Sequence, residues 1–290
     1  MCDKASFAVA SIKDDTHSFI AYYDDTMLEA AIKYKTIVDE FDDAIKAGEF
    51  KMYLQPQISA KTRRLTGAEA LVRRIKPDGT IISPIDFIPV YEKSGLISRL
   101  DRYIWEQAAA KLGEWKKAGI NMSISVNISP KDFYYIDIFN TFAGLIKKYD
   151  IEPSNLKIEI TETTIMSDVP NLMGELEELR KAGFTLEMDD FGSGYSSLNT
   201  LKDINVDVLK VDMGFIKETK NGKKSRIILA SVIKMAKELN LLIITEGVET
   251  EEQVDNLTKL GCDVFQGYYF SKAIDVNEFE KRYLYRKKAG

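Results

Sequence analysis

LKIEITE (residues 156–162) is an apolar run of strand length, with the carboxylate of Glu159 inside it. A lone carboxylate in such a run is costly to bury without a partner. The pattern recurs along the chain. GAEALVR carries Glu69, SISVNIS carries Asn127, and TLEMDDFG carries Asp189 and Asp190. VLKVD carries Lys210 and Asp212, and LLIITEGVE carries Glu246 and Glu249. Runs that repeat one cost point to groups converging on one site. Oxygen ligands from successive strand ends select hard divalent cations, and hence hydrolysis or phosphoryl chemistry.

Strand patterns fall at 50–55, 66–72, 122–128, 156–161, 184–189, 206–211, 241–246 and 263–269. Helical patterns fall at 28–48, 84–94, 98–118, 130–149, 168–182, 195–203, 222–239, 250–260 and 275–286. Gly183 and Gly261 stand where helix-terminating glycines do. This alternation places the chain in the α/β class as a TIM-like (β/α)8 barrel, with a large doubly wound sheet as the alternative. Only SAKTRRLTG (59–67) and its neighbours separate the first two strands, too little for a crossover helix of about a dozen residues. A hairpin fits, so the first strand is expected to run antiparallel to the rest. Residues 1–27 read as an N-terminal appendage, and 28–290 as the barrel.

The net charge of −5 speaks against a nucleic-acid polymer as partner. No run approaches the roughly 18 apolar residues of a membrane span, so no membrane contact is expected from this segment. Cys2 and Cys262 match no zinc spacing and suit a reducing cytoplasm. The single histidine, His17, lies in the poorly patterned N-terminal stretch. Proton transfer in the barrel therefore falls to Glu, Asp, Lys, Tyr or metal-bound water.

Barrel active sites form at the C-terminal ends of the parallel strands, where Asn127, Glu159, Asp189 and Glu246 fall. Asp189 can bridge two ions and Asp190 serve the second. Two ions about 3.5–4 Å apart clamp the attacking and leaving oxygens of an in-line displacement. The oxygen donors favour Mg2+ or Mn2+, whereas the looser geometry of Ca2+ is expected to inhibit. Lys210 is the lone ammonium among these acids, available to orient water or phosphate. The base is Glu246 or a metal-bound hydroxide. Taken singly, each residue has a plainer reading. Lys210 would pair with Asp207 or Asp212, and Ser129-Pro130 would simply open a helix. Trp105, Trp115, Phe133, Tyr134 and Tyr135 read as packing residues, and Cys262 as buried and inert. Residues 61–64 read as a solvated hairpin tip. Joint occurrence at strand ends decides against the single readings.

In order, these blocks resemble the EAL family of cyclic di-GMP phosphodiesterases: Glu69-Ala70-Leu71, VNIS around Asn127, EITE at 159–162, DDFGSGYSSL at 189–198, LKVD at 209–212, EGVET at 246–250 and QGYYFSKA at 266–273. The resemblance spans roughly 36–285. It implies hydrolysis of cyclic di-GMP to linear pGpG with two Mg2+ or Mn2+ ions, in a homodimer. It also implies that Glu69, Asn127, Glu159 and Asp189 hold one metal, while Asp189, Asp190 and Glu246 serve the second metal and the water. Lys210 matches a catalytic lysine and Arg73 a phosphate contact. Gln55, Asp212, Glu249 and Gln266 match positions lining or supporting the substrate site. Glu162 matches the anchor of the DDFGSGYSSL loop. Residues 1–27 look similar to the tail of a GGDEF-type domain, as in the cytoplasmic part of a longer sensor. Three positions depart from the pattern: Arg74 replaces an aromatic residue, Glu187 a small or apolar one and Ala273 a proline. Arg74 and Glu187 are expected to alter substrate fit or regulation. A non-catalytic cyclic di-GMP receptor is the alternative, although receptors of this type usually lack some of the ligands or the lysine.

Overall fold

A turn too short for a helix sets the direction of the first strand against the second. At Arg63 the backbone takes a positive φ of 55°. The Arg63 N–H donates to Ser59 O at 2.9 Å, and the Ser59 N–H to Arg64 O at 2.9 Å. The computed structural model describes residues 4–5, 8–9, 20, 22–167, 169–192, 201–202, 204–213 and 222–285. The chain divides into two compact units, Met1–Phe50 with Arg74–Leu96, and Lys51–Arg73 with Ile97–Gly290. His17, Cys2, the loop 193–200 and most of 1–27 lie outside the described residues.

In the first unit, α1 (Asp25–Asp39) starts at Asp24, whose side chain accepts from Met27 N. The expected single helix over 28–48 is two. The chain turns at Glu40, whose carboxylate meets Arg74 at 2.7 Å, and α2 (Phe41–Lys46) follows. Strands β1 (Phe50–Ser59) and β2 (Leu65–Ile75) belong to this unit only at Phe50 and at Arg74 and Ile75, with which β3 (Ile81–Ile82) pairs antiparallel. Helix α3 (Pro84–Ser94) presents Phe87 and Tyr91 to Phe41 and Phe50, with ring centroids 4.9–6.0 Å apart. Arg74 is 3 % exposed and sits among these rings, 5.7 Å from Phe50, paired with Glu49 at 2.9 Å as well as Glu40. Successive strand residues face opposite ways. Arg74 therefore belongs to this aromatic cluster, and the expected influence on substrate fit gives way to a packing role.

In the second unit, α4 (Ile97–Lys117) buries Leu100, Ile104, Trp105, Ala108, Ala109, Leu112 and Trp115 at helical spacing. Seven strands run parallel: β2, β4 (Ile124–Ile128), β5 (Leu156–Thr161), β6 (Leu186–Asp189), β7 (Val208–Asp212), β8 (Leu242–Glu246) and β9 (Val264–Phe265). β1 closes the ring against β9 and β2, and runs antiparallel to β9. The barrel with one reversed strand is as the hairpin required. β10 (Ile274–Asp275) adds to β1 at Tyr53 and Leu54.

Two strand starts are secured alike. Asp207 Oδ2 accepts from Leu186 N and Asp263 Oδ2 from Ile243 N, each at 2.9 Å, while Arg180 and Lys237 hold the other oxygens. The expected helix at 130–149 is two helices, α5 (Asp132–Tyr135) and α6 (Ile138–Tyr149), because Asp137 caps a new start by accepting from Asn140 N at 3.0 Å. Trp105, Trp115 and Phe133 pack inside, but Tyr134 and Tyr135 are largely exposed. After β5, α7 (Glu162–Met166) precedes α8 (Leu172–Lys181), separated by the left-handed Asn171 at φ 58°. The chain continues through α9 (Gly222–Glu238) and α10 (Glu251–Leu260), which a Thr250–Gln253 capping box opens and Gly261 ends at φ 92°. The last helix, α11 (Val276–Phe279), passes into a π-helical turn at Glu280–Leu284, shorter than the 275–286 helix expected. The helix expected at 195–203 lies almost wholly outside the described residues. Among those residues no helix is long and apolar enough to cross a membrane.

Candidate active site

Parallel register carries the lone ammonium into the acids. Glu159 pairs with Asn127 and Glu187, Thr161 with Asp189, and Asp212 with Glu246. Side chains two apart share a strand face, so Lys210 lies on the same face as Asp212, one step deeper. It is wholly buried. Its Nζ stands 2.7 Å from Glu159 Oε2, 2.9 Å from Glu246 Oε1, 3.2 Å from Asp189 Oδ2 and 3.6 Å from Glu69 Oε2. The plainer pairing with Asp207 or Asp212 is not the one found.

A buried ammonium and buried carboxylates tolerate desolvation only through such mutual contacts. Burial alone pulls the Lys210 ammonium down, but Asp189, Glu159, Glu246 and Glu69 outweigh it and hold the pKa well above the ordinary lysine value. Burial, then the charge of Glu69, pushes Glu159 well above the usual carboxylate range against the pull of Lys210. Burial likewise pushes Glu246 up to about 8, opposed by Lys210 and reinforced by Asp189 and Glu69.

Asp190 takes a left-handed φ of 56° and its N–H donates to Asp189 Oδ1 at 2.8 Å. That turn sets two adjacent carboxylates at the end of one strand. Above the ammonium lies an open cavity of about 390 Å³. Its walls include Gln55, Glu69, Asp189, Asp212, Glu246, Glu249 and Gln266, all expected at the site. Tyr268, Leu71 and Gly267 line it too. Gly267 is required there, because a Cβ would fall 2.2 Å from Val248 O. Its turn also ends the ninth strand at Phe265, short of the 263–269 run expected.

Asn127 is half-buried and donates from Nδ2 to Glu69 Oε1 at 3.4 Å. Its own carbonyl accepts from Trp105 Nε1 at 2.9 Å, a tie that a packing assignment for Trp105 does not capture. Arg73 does not join the cavity wall: it donates to Val72 O at 2.7 Å and lies 5.9 Å from the Tyr53 ring. Glu162 is 1 % exposed at the start of α7, while the loop it was expected to anchor lies outside the described residues. Glu187 is wholly buried and pairs with Lys157 at 2.8 Å. It is absent from the cavity wall, so the expected effect on substrate fit becomes an ion pair inside the barrel.

Gln57 escaped the sequence reading. It is 1 % exposed, two residues from Gln55 on the same strand face, and donates to Gln266 Oε1 at 3.2 Å. The available signal was the Gln-x-Gln alternation in a strand whose intervening positions, Leu54, Pro56 and Ile58, are apolar.

Residues 38–273 match the model of the EAL domain. The chain belongs to the EAL domain family. It is 34 % identical over 278 residues to the signaling protein YkoW of Bacillus subtilis, covering 96 % of this chain and 35 % of that protein. It is 30 % identical over 275 residues to the bifunctional diguanylate cyclase/cyclic di-GMP phosphodiesterase MucR of Pseudomonas aeruginosa, covering 94 % of this chain and 40 % of that protein. This EAL domain thus spans little more than a third of the length of these curated relatives. The solved PaMucR phosphodiesterase in its c-di-GMP complex superposes with a TM-score of 0.78 at 32 % identity, over 84 % of this chain and 99 % of that one.

The donor set of this EAL domain fits a hard divalent cation. All its candidate ligands are oxygens. Glu159 Oε1 is buried without a hydrogen-bond partner among the described residues, an acceptor that a cation would satisfy. As the side chains stand, no three acids among the described residues are arranged to hold a metal ion. The Lys210 ammonium holds the centre, so taking up an ion requires carboxylates to turn from it.

Proposed function

We propose that this EAL domain hydrolyses cyclic di-GMP to linear pGpG with two Mg2+ or Mn2+ ions. The observation that carries the reading is the wholly buried Lys210 ammonium set among Glu159, Glu246, Asp189 and Glu69 beneath an open acidic cavity. A structural ion pair needs one carboxylate. Four around one ammonium, at the mouth of a barrel, suit a site that trades charge with ligands.

Glu69, Asn127, Glu159, Asp189, Asp190 and Glu246 would hold the ions. The ions, when bound, supply charge neutralisation of the phosphodiester and activation of the attacking water. Lys210 stays protonated at neutral pH and offers a fixed positive charge to the phosphoryl oxygens as charge builds on them. Glu246, at the cavity wall, would take the proton of the attacking water once bound ions hold its carboxylate ionised. The water oxygen forms the new bond to phosphorus. One ester P–O bond breaks, and the leaving oxygen takes up the proton that Glu246 received, leaving a terminal phosphate and a hydroxyl. Gln55, Asp212, Glu249 and Gln266 in the cavity wall, with Arg73 from the strand that carries Glu69, would bind and orient the nucleotide. Glu162 would support the neighbouring loop, and the domain would act as a homodimer, which light scattering at working concentration tests.

The decisive experiment incubates the protein with cyclic di-GMP and Mg2+ or Mn2+ and follows pGpG by chromatography. Turnover is expected, lost in Glu69→Ala and Asp189→Ala and suppressed by Ca2+. Tight binding with no pGpG would refute catalysis in favour of a receptor, and full activity in either variant would refute the ligand set.

A further inference from the structure

Glu69 is held at both oxygens by amides. Asn127 Nδ2 reaches Oε1 at 3.4 Å, and Gln266 Nε2 donates to Oε2. An ionised carboxylate only accepts hydrogen bonds, whereas an amide has one donating and one accepting end. The end of Gln266 that faces Glu69 must therefore be its NH2, which turns Oε1 the other way. There it meets Gln57 Nε2 at 3.2 Å. Gln55 Oε1 accepts from the same Gln266 Nε2 at 3.3 Å, and Gln55 Nε2 is tied to Ser271 O at 3.3 Å. The relay has one possible direction, set by the carboxylate at its end. A flipped Gln266 would point a lone pair at Glu69 and force the carboxylate away.

Gln57 lies beneath this arrangement and outside the cavity wall. Gly67 makes room for it. A Cβ there would stand 2.7 Å from Ser123 Oγ and 3.0 Å from Gln57 Oε1, so any side chain would displace the amide or its neighbour.

We infer that Gln57 is a positioning residue of the candidate metal site, fixing the Gln266 amide and through it the Glu69 carboxylate. The inference rests on the reading that Glu69 holds a divalent ion. Groups that orient a ligand through a hydrogen bond commonly change metal affinity 10- to 100-fold when removed. Gln57 acts through one further residue, so the lower end applies.

The test titrates Mn2+ into the nucleotide-free full chain, read by electron paramagnetic resonance and calorimetry alongside thermal melting. Gln57→Met keeps the volume and removes the donor. Gln57→Asn keeps the amide but shortens its reach and serves if the first variant does not fold. Ile58→Val, on the opposite strand face, is the control for lost packing. Weakening of Mn2+ binding by about tenfold is expected in both Gln57 variants, with none in Ile58→Val. Gly67→Ala should shift affinity in the same direction. Wild-type Mn2+ affinity in a folded Gln57 variant overturns the inference while leaving the metal reading intact. Failure of the wild-type chain to bind Mn2+ overturns the metal reading and this inference with it.

Discussion

Lys210 Nζ and Glu159 Oε2 stand 2.7 Å apart with both side chains wholly buried. The pair is 51 residues apart in sequence and brought together across the barrel by β5 and β7, the parallel strands that flank β6. Removing one member of a buried pair leaves an uncompensated charge and costs about 3–5 kcal/mol. Lys210→Met should lose at least about 3 kcal/mol without metal, because Glu159, Glu246, Asp189 and Glu69 then repel one another. Divalent ions would replace the missing charge. Mn2+ should therefore raise the melting temperature of Lys210→Met more than that of the wild type, although turnover is lost. Equal Mn2+ shifts in the two proteins would show that the acids do not gather around a cation.

The Lys157–Glu187 pair makes a separate prediction. Glu187 is 0 % exposed whereas the Lys157 side chain keeps 19 % of its surface, so the two partners are unequal. Lys157→Met strands a buried carboxylate and should cost about 3 kcal/mol. Glu187→Met leaves a lysine that can reach solvent and should cost less. The double variant should recover much of the loss, since well-packed apolar replacements of a buried pair are often neutral. Urea unfolding of the four proteins measures the coupling, and simple additivity would refute the pairing.

How far the sequence could be read follows from what kind of relation each residue makes. Carboxylates at the ends of apolar runs were visible because each one breaks a local pattern. The reversed first strand was visible because nine residues, SAKTRRLTG, cannot cross a barrel. Lys157 and Glu187 fit no local pattern that links them, since only the pairing of β5 with β6 brings residues 30 apart together. Arg74 was misplaced for a simpler reason. Its neighbour Arg73 carries the resemblance, yet alternation sends the next side chain to the opposite face. Glu40, at the break between the first two helices, pairs with that same Arg74, a contact no helical periodicity encodes.

Arg74 should matter to stability and not to chemistry. Arg74→Met keeps contact with Phe50 and Tyr91 but leaves Glu49, 13 % exposed, without its guanidinium. A loss of about 2–3 kcal/mol is expected by urea unfolding, less than for a wholly buried acid because Glu40 is more exposed and can rehydrate. At a temperature where the variant is fully folded, kcat and KM for cyclic di-GMP should stay within about twofold of the wild type. A KM raised tenfold would return Arg74 to the substrate site.

Cys262 gives the alkaline limb of stability. The thiol is 5 % exposed and accepts from Thr245 Oγ1 at 3.1 Å. Burial pushes its pKa from 9.0 up to about 11, against the smaller pull of Thr245. A folded pKa above the unfolded value means that the unfolded chain releases the proton first. The contribution to stability is whole below pH 9 and is lost as pH rises from 9 through 11. Two units correspond to at most about 2.7 kcal/mol. In Cys262→Ala the fall in unfolding free energy between pH 9 and pH 11 should be shallower than in the wild type by about 1–2 kcal/mol. In a Cys2→Ser background, Cys262 should also react with a soluble disulfide reagent at pH 8 only at the rate of unfolding, since the thiolate is the attacking form and burial suppresses it. Rapid labelling of the folded protein at pH 8, or parallel pH curves for the two proteins, would place the thiol at an ordinary pKa.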